Sequence, residues 1–157
     1  MNTPLRPILA AEDEETDRLI LNLAFERANL PHGVVTVRDG AECVDYLTGV
    51  APYADRTVHP FPALVILDLK MPRMDGFEVL AWLAMRPDFK DLPVVVLSSS
   101  SDDSDIQKAR LLGAREYFVK PHALDDLVKI LHTIHSRWLL PAPTVLPVQD
   151  VIRAPAR

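Results

Sequence analysis

The chain has 157 residues, 48% of them hydrophobic and 25% charged, with 17 basic and 22 acidic residues for a net charge of −5. That is enough chain to bury one sizeable core without a metal or disulfide staple, and it excludes wholesale disorder. The longest apolar runs are about five residues, far short of the ~18 needed to span a membrane, and the acidic balance argues against sequence-independent nucleic-acid binding. A single cysteine, Cys43, can form no intrachain disulfide, and no N-terminal stretch reads as a signal peptide, so the expected compartment is the cytoplasm.

In chain order, short apolar runs alternate with helical patterns. A strand over residues 8–11 is followed by the acidic run Glu12-Asp13-Glu14-Glu15 and a helix whose predicted stripe is Leu19, Leu23, Ala24 and Ala28. Glu14, Glu15 and Asp17 read as a solvated first turn, where carboxylates suit the helix dipole. A second strand covers residues 34–37, and a weaker helix covers residues 41–47 with Val44 and Leu47 as its apolar pair. A long connection, residues 48–62, carries Pro52, Pro60 and Pro62; connections of that length are often functional.

The third strand, residues 64–67, ends at Asp68, and a helix with Phe77, Leu80, Ala81 and Ala84 follows. The fourth strand, residues 94–97, runs into four serines, Ser98 to Ser101. The next helix carries Ile106, Ala109 and Leu112 and stops at Gly113. A fifth strand over residues 117–119 ends in Lys120-Pro121, and the last helix, striped by Leu124, Leu127, Val128, Leu131 and Ile134, ends near Trp138. The strands lack polar alternation, as expected when both faces are covered. Five strand–helix units predict a doubly wound α/β sheet with right-handed crossovers.

In such sheets function gathers beyond the C-terminal strand ends, where this chain places carboxylates, a hydroxyl cluster and a lysine. Carboxylates converging from neighbouring strands repel unless a cation sits among them. Carboxylate, carbonyl and water oxygens suit a hard ion such as Mg²⁺, and a hydroxyl with an ammonium complements an anion of several oxygens. Together the strand ends predict a metal-assisted phosphoryl site.

Four segments then resemble a known family. They are Ile8-Leu9-Ala10-Ala11-Glu12-Asp13, the run from Val65-Ile66-Leu67-Asp68 through Met71-Pro72-Arg73-Met74-Asp75-Gly76, Leu92-Pro93-Val94-Val95-Val96-Leu97-Ser98, and Gly113-Ala114-Arg115-Glu116-Tyr117-Phe118-Val119-Lys120-Pro121. In order and spacing, over about residues 6–138, they resemble the receiver domain of two-component response regulators, akin to chemotaxis regulators. The resemblance implies a flavodoxin-like five-stranded parallel sheet in the order 2-1-3-4-5, with helices on both faces. It implies Asp68 as phosphoryl acceptor from a sensor histidine kinase. Mg²⁺ or Mn²⁺ would be held by Glu12, Asp13, Asp68 and the Lys70 backbone carbonyl.

Ser98, Ser99 and Lys120 would border the phosphoryl group, Ser98 and Tyr117 would form a switch pair, and the Lys120–Pro121 bond is expected to be cis. Glu12 stands where the family more often has Asp. The long loop and the Trp138-Leu139-Leu140-Pro141 segment resemble, more narrowly, the single-domain receivers that accompany bacterial phytochrome kinases. That implies a homodimer through the fourth helix, fifth strand, last helix and tail.

The expected organisation is a receiver over residues 1–140 and a Pro-rich extension over 141–157, without an output domain, DNA contact or membrane contact. The chain is then a phosphoacceptor with autophosphatase chemistry, not an independent enzyme. A docking scaffold that needs no phosphorylation is disfavoured because Asp13, Asp68 and Lys120 are all present. An Asp-based metal-dependent phosphatase is disfavoured because Lys70 stands where such enzymes place a second carboxylate.

Overall fold

The computed structural model describes residues 4–140. Five parallel strands, β1 (Ile8–Ala11), β2 (Val34–Val37), β3 (Leu64–Leu67), β4 (Val94–Ser98) and β5 (Glu116–Val119), form one sheet in the order β2-β1-β3-β4-β5. Helices α1 (Glu15–Ala28), α2 (Gly40–Thr48), α3 (Gly76–Ala84), α4 (Asp103–Leu111) and α5 (Leu124–Ile134) connect the strands and close the chain. The predicted class and strand order are both found. Among the described residues no helix is long and apolar enough to cross a membrane.

Side chains alternate across a strand, so one sheet feeds two cores. Leu9, Ala11, Val65, Leu67, Val94 and Val96 pack with Cys43, Tyr46, Leu47, Val79, Leu80 and Ala109 of α2, α3 and α4. Ile8, Ala10, Leu64, Ile66, Val95 and Leu97 pack on the opposite face with Leu21, Ala24 and Phe25 of α1 and Leu127, Leu131 and Ile134 of α5. Burial of both faces of β1, β3 and β4 is why those strands read as unbroken apolar runs.

Two helices differ from the sequence reading in the residues they bury. In α1 the buried stripe is Leu21, Ala24, Phe25 and Ala28, while Leu19 and Leu23 face solvent. Both stripes have helical spacing, and the larger Phe25 wins the core-facing side. In α2 the buried residues are Cys43, Tyr46 and Leu47, with Val44 only half-buried. This helix is also capped: the Asp39 carboxylate accepts from Glu42 N at 2.8 Å, a contact worth about 1 kcal/mol. Gly49, in a left-handed conformation at φ 73°, ends it.

The long connection after α2 folds back on that helix. The Arg56 guanidinium donates to the carbonyls of Tyr46 at 2.8 Å and Leu47 at 2.9 Å, satisfying the last turn's free acceptors. The Tyr46 hydroxyl donates to Pro60 O at 2.9 Å, and Tyr53 donates to Glu42 Oε1 at 2.5 Å.

Beyond α5 the chain makes a π-helical turn over His135–Leu139. Trp138 is held on its own domain: its indole Nε1 donates to Glu116 Oε2 on β5 at 2.9 Å, and Arg137 pairs with the same carboxylate. Trp138 and Leu139 pack against the α1–α5 core, whereas Leu140 is exposed. Pro141 and the extension over 141–157 lie outside the described residues.

Candidate phosphoryl and metal site

The parallel ladders run one step past the strand ends, and those extra bonds place the site residues. Glu12 N donates to Val37 O at 3.0 Å, Asp68 N to Ala11 O at 3.1 Å, and Lys120 N to Ser98 O at 2.7 Å. Glu12, Asp68 and Lys120 therefore all start from the C-terminal end of the sheet, Glu12 and Asp68 from neighbouring strands and Lys120 from β5, two strands beyond β3. A carboxylate oxygen from each of Glu12, Asp13 and Asp68 lies within 4.8 Å of the others. Glu12 and Asp68 are each only 5% exposed.

The Lys120 ammonium sits against this cluster. Its Nζ lies 2.6 Å from Glu12 Oε2, 2.9 Å from Asp17 Oδ2 and 3.1 Å from Asp68 Oδ2. An ammonium has three protons to donate, and three carboxylates take them. Burial by itself would lower the Lys120 pKa, but the bonds to Glu12 and Asp17 and the charge of Asp68 outweigh it and raise the pKa. Burial also acts on Glu12, with the Asp68 charge adding to it; against the opposing pull of Lys120 its pKa rises from 4.5 to about 7. Glu12 Oε1 accepts from Glu14 N at 3.1 Å.

The residues present suit a divalent ion. The donors are hard oxygens, as Mg²⁺ and Mn²⁺ prefer, and four acidic side chains face one lysine. That excess is what a divalent cation relieves.

Two loops are held by residues that the sequence reading passed over. Arg18 on α1 donates from Nη1 to Glu12 O at 2.9 Å and Asp13 O at 2.7 Å, which fixes the backbone carrying the acidic pair. Arg73, in the loop after Asp68, pairs through Nε at 2.7 Å and through Nη2 with the buried Asp39. Its φ is 62°, a left-handed conformation costly for a residue with a side chain; the pairing holds it there. Gly40 N donates to Met74 O at 3.0 Å, so the loop after Asp68 is latched to the start of α2. A Cβ on Gly76 would overlap the Asp68 carbonyl, so the turn into α3 admits only glycine.

Ser98 ends β4 fully buried, and its hydroxyl accepts from Ser100 N at 3.2 Å. Ser100 Oγ donates to Asp105 Oδ2 at 2.6 Å, and the Tyr117 hydroxyl donates to Ser100 O at 2.8 Å. The expected switch pair thus meets through the backbone of the β4–α4 loop. Ser99 and Lys70 are exposed at the rim.

One expectation is corrected. The Lys120–Pro121 bond is trans, and the cis bond found among the described residues is Ala51–Pro52. X–Pro bonds favour trans by about 0.5–1 kcal/mol, and Lys120 reaches its three carboxylates with the ordinary isomer. Asp17 is the other departure. It lies on the first turn of α1, as read, but its carboxylate turns to Lys120 instead of to water alone. Only the fold reveals this, because the partner is 103 residues away.

Comparison with known proteins agrees with this geometry. Residues 8–132 match the family model described as the response regulator receiver domain. The response regulator Rcp1 of Synechocystis is 33% identical over 138 residues, which cover 88% of this chain and 92% of Rcp1. The Mn²⁺-bound form of Rcp1 superposes with a TM-score of 0.73, covering 90% of this chain and 99% of Rcp1. The structure of RPA3017, described as a response regulator in red light signaling of R. palustris, has a TM-score of 0.82 at 36% identity, covering 90% of this chain and all of that one. The phosphorylated cyanobacterial phytochrome response regulator RcpA has a TM-score of 0.77 at 37% identity, covering 89% and 99% of the two chains.

Proposed function

The chain belongs to the response regulator receiver family, and on that premise we propose that Asp68 accepts a phosphoryl group from a sensor histidine kinase of the bacteriophytochrome type. The observation that carries this reading is the convergence of Asp68, Glu12, Asp13 and Lys120 at one end of the sheet. The phytochrome association rests on the resemblance to RcpA and to the R. palustris regulator. The chain acts as a signalling acceptor in the cytoplasm, not as an independent enzyme, and hydrolysis of its own acyl phosphate resets it.

An Asp68 carboxylate oxygen attacks phosphorus, and the phosphorus–nitrogen bond of the donor phosphohistidine breaks. The departing imidazole keeps the bonding pair and takes up a proton. Glu12, Asp13, Asp68 and the Lys70 carbonyl would hold Mg²⁺ or Mn²⁺, which supplies positive charge against the phosphoryl oxygens. Lys120 gives up its bond to Asp68 and donates to a phosphoryl oxygen. The Ser98 hydroxyl turns from Ser100 N to another oxygen, while exposed Ser99 leaves the approach open. Pulling Ser98 shifts the loop that Tyr117 holds through Ser100 O, and this alters the surface of α4 and β5. The test is incubation with acetyl phosphate and Mg²⁺ followed by intact mass. One added phosphoryl group supports the reading, and no addition refutes it.

Metal binding should depend on pH with a defined sign. In the metal-free fold the Glu12 proton is held up to about pH 7, against 4.5 ordinarily. This group therefore favours the folded state below pH 4.5, and its contribution is lost as pH rises to 7. A cation must displace that proton. Adding Mg²⁺ should therefore raise the melting temperature more at pH 8 than at pH 6; equal shifts would contradict this role for Glu12.

A homodimer through α4, β5, α5 and the extension over 141–157 belongs to the same reading. Exposed Leu140 leads into an apolar, proline-broken stretch, which in water favours association. Sedimentation should find a dimer for the full chain and a monomer for one ending at Leu140. Two monomers at micromolar concentration would refute the dimer, and two dimers would refute the role of the extension.

A further inference from the structure

Asp17 is not one of the clustered carboxylates Glu12, Asp13 and Asp68, yet it takes one of the three Lys120 protons at 2.9 Å. We propose that Asp17 is a positioning residue that acts through Lys120 as a brake, engaging a proton of the ammonium that incoming phosphoryl oxygens need and opposing the approach of an anionic phosphodonor. This inference rests on Asp68 being the phosphoryl acceptor and Lys120 its cationic partner.

Charge counting sets the direction. A bound divalent ion and Lys120 supply three positive charges, and Glu12, Asp13 and Asp68 supply three negative ones. That set is balanced, and Asp17 makes it negative by one. A phosphodonor arrives as a dianion, so the extra carboxylate repels it. Asp17 also competes for the donor that the phosphoryl oxygens need. After transfer the Asp68 oxygens carry phosphorus, but Asp17 remains in place to bind Lys120.

A rival reading has Asp17 serving only the helix, because a carboxylate in the first turn complements the α1 dipole. The geometry goes further than that. Asp17 reaches across to the residue after β5, and it joins α1 to the site through the same ammonium that contacts Asp68. Its side chain is 40% exposed, so solvent screens it. The expected effect is severalfold, not hundredfold.

The test compares the full chain with Asp17→Asn and Asp17→Glu, using acetyl phosphate with Mg²⁺ and following phosphorylation by intact mass. Asp17→Asn should raise the second-order rate constant of phosphoryl uptake about three- to tenfold, mainly through a lower half-saturating acetyl phosphate concentration, and the gain should shrink at high salt. Asp17→Glu keeps the charge and should behave as the parent. In the metal-free protein, the Lys120 Nζ resonance in ¹⁵N NMR should move in Asp17→Asn and stay near the parent position in Asp17→Glu. A purely structural role would change the melting temperature without this split. An unmoved Nζ resonance, an unchanged or slower Asp17→Asn, or an Asp17→Glu variant that matches Asp17→Asn would overturn the proposal. A parent chain that takes up no phosphoryl group would overturn the acceptor reading along with it.

Discussion

Asp68→Asn should take up no phosphoryl group from acetyl phosphate under conditions in which the parent chain gains one. The amide has nearly the shape of the carboxylate, so the variant keeps the backbone bond from residue 68 to Ala11 O and the packing of β3. What it loses is the nucleophile, because a neutral amide oxygen does not displace a leaving group from phosphorus at a useful rate. The other carboxylates of the cluster remain, so the variant distinguishes the acceptor from its neighbours. Uptake in Asp68→Asn equal to the parent's would mean that another group is modified. Far-ultraviolet circular dichroism matching the parent would show that loss of uptake is not loss of fold.

Lys120→Ala should produce the largest loss of stability, about 3–5 kcal/mol at pH 8 and low salt, as expected when one partner of a buried ion pair is removed. Lys120 is 18% exposed at its side chain, and it is the cation between Glu12 and Asp68, at 6% and 7%. The raised Lys120 pKa keeps it charged throughout the neutral range, so its stabilisation is fully present below its unfolded pKa and is lost only at strongly alkaline pH. The titrating group near neutrality is Glu12, at about 7. A protonated Glu12 needs no cation, so the cost of Lys120→Ala should shrink between pH 8 and pH 6. Phosphorylation should fall about 10²–10³-fold at either pH, the usual scale for removing one preorganised donor from developing charge. Urea denaturation at the two pH values checks the first part; a cost that grows toward pH 6 would contradict the ion-pair account.

The latches at Arg18 and Arg73 bear on how the site keeps its shape. Arg18 fixes two carbonyls beside the acidic pair, and Arg73 ties the loop after Asp68 to the capped end of α2. Each joins segments that have no side-chain motif in common. The same holds for Trp138, whose indole N–H donates to Glu116 of its own β5.

What the sequence determined by itself was whatever depends on local order and pattern. Short apolar runs at β1, β3 and β4 announced strands covered on both faces, since no other element buries four consecutive side chains so fully. The residues just past the strand ends, β5 included, announced the site, because parallel strands put all their C-terminal ends on one side. Asp68, Glu12, Asp13 and Lys120 were legible for that reason. Which face of α1 turns inward was not, because Leu19 and Leu23 fit a helical stripe as well as Leu21 and Phe25 do; only packing against α5 and the sheet chooses between them. The isomer of Lys120–Pro121 and the partners of Asp17, Arg18 and Arg73 were also decided by tertiary structure. A hydrogen bond between residues 103 apart has no local signature, and it forms only once the sheet has brought the two chain segments side by side.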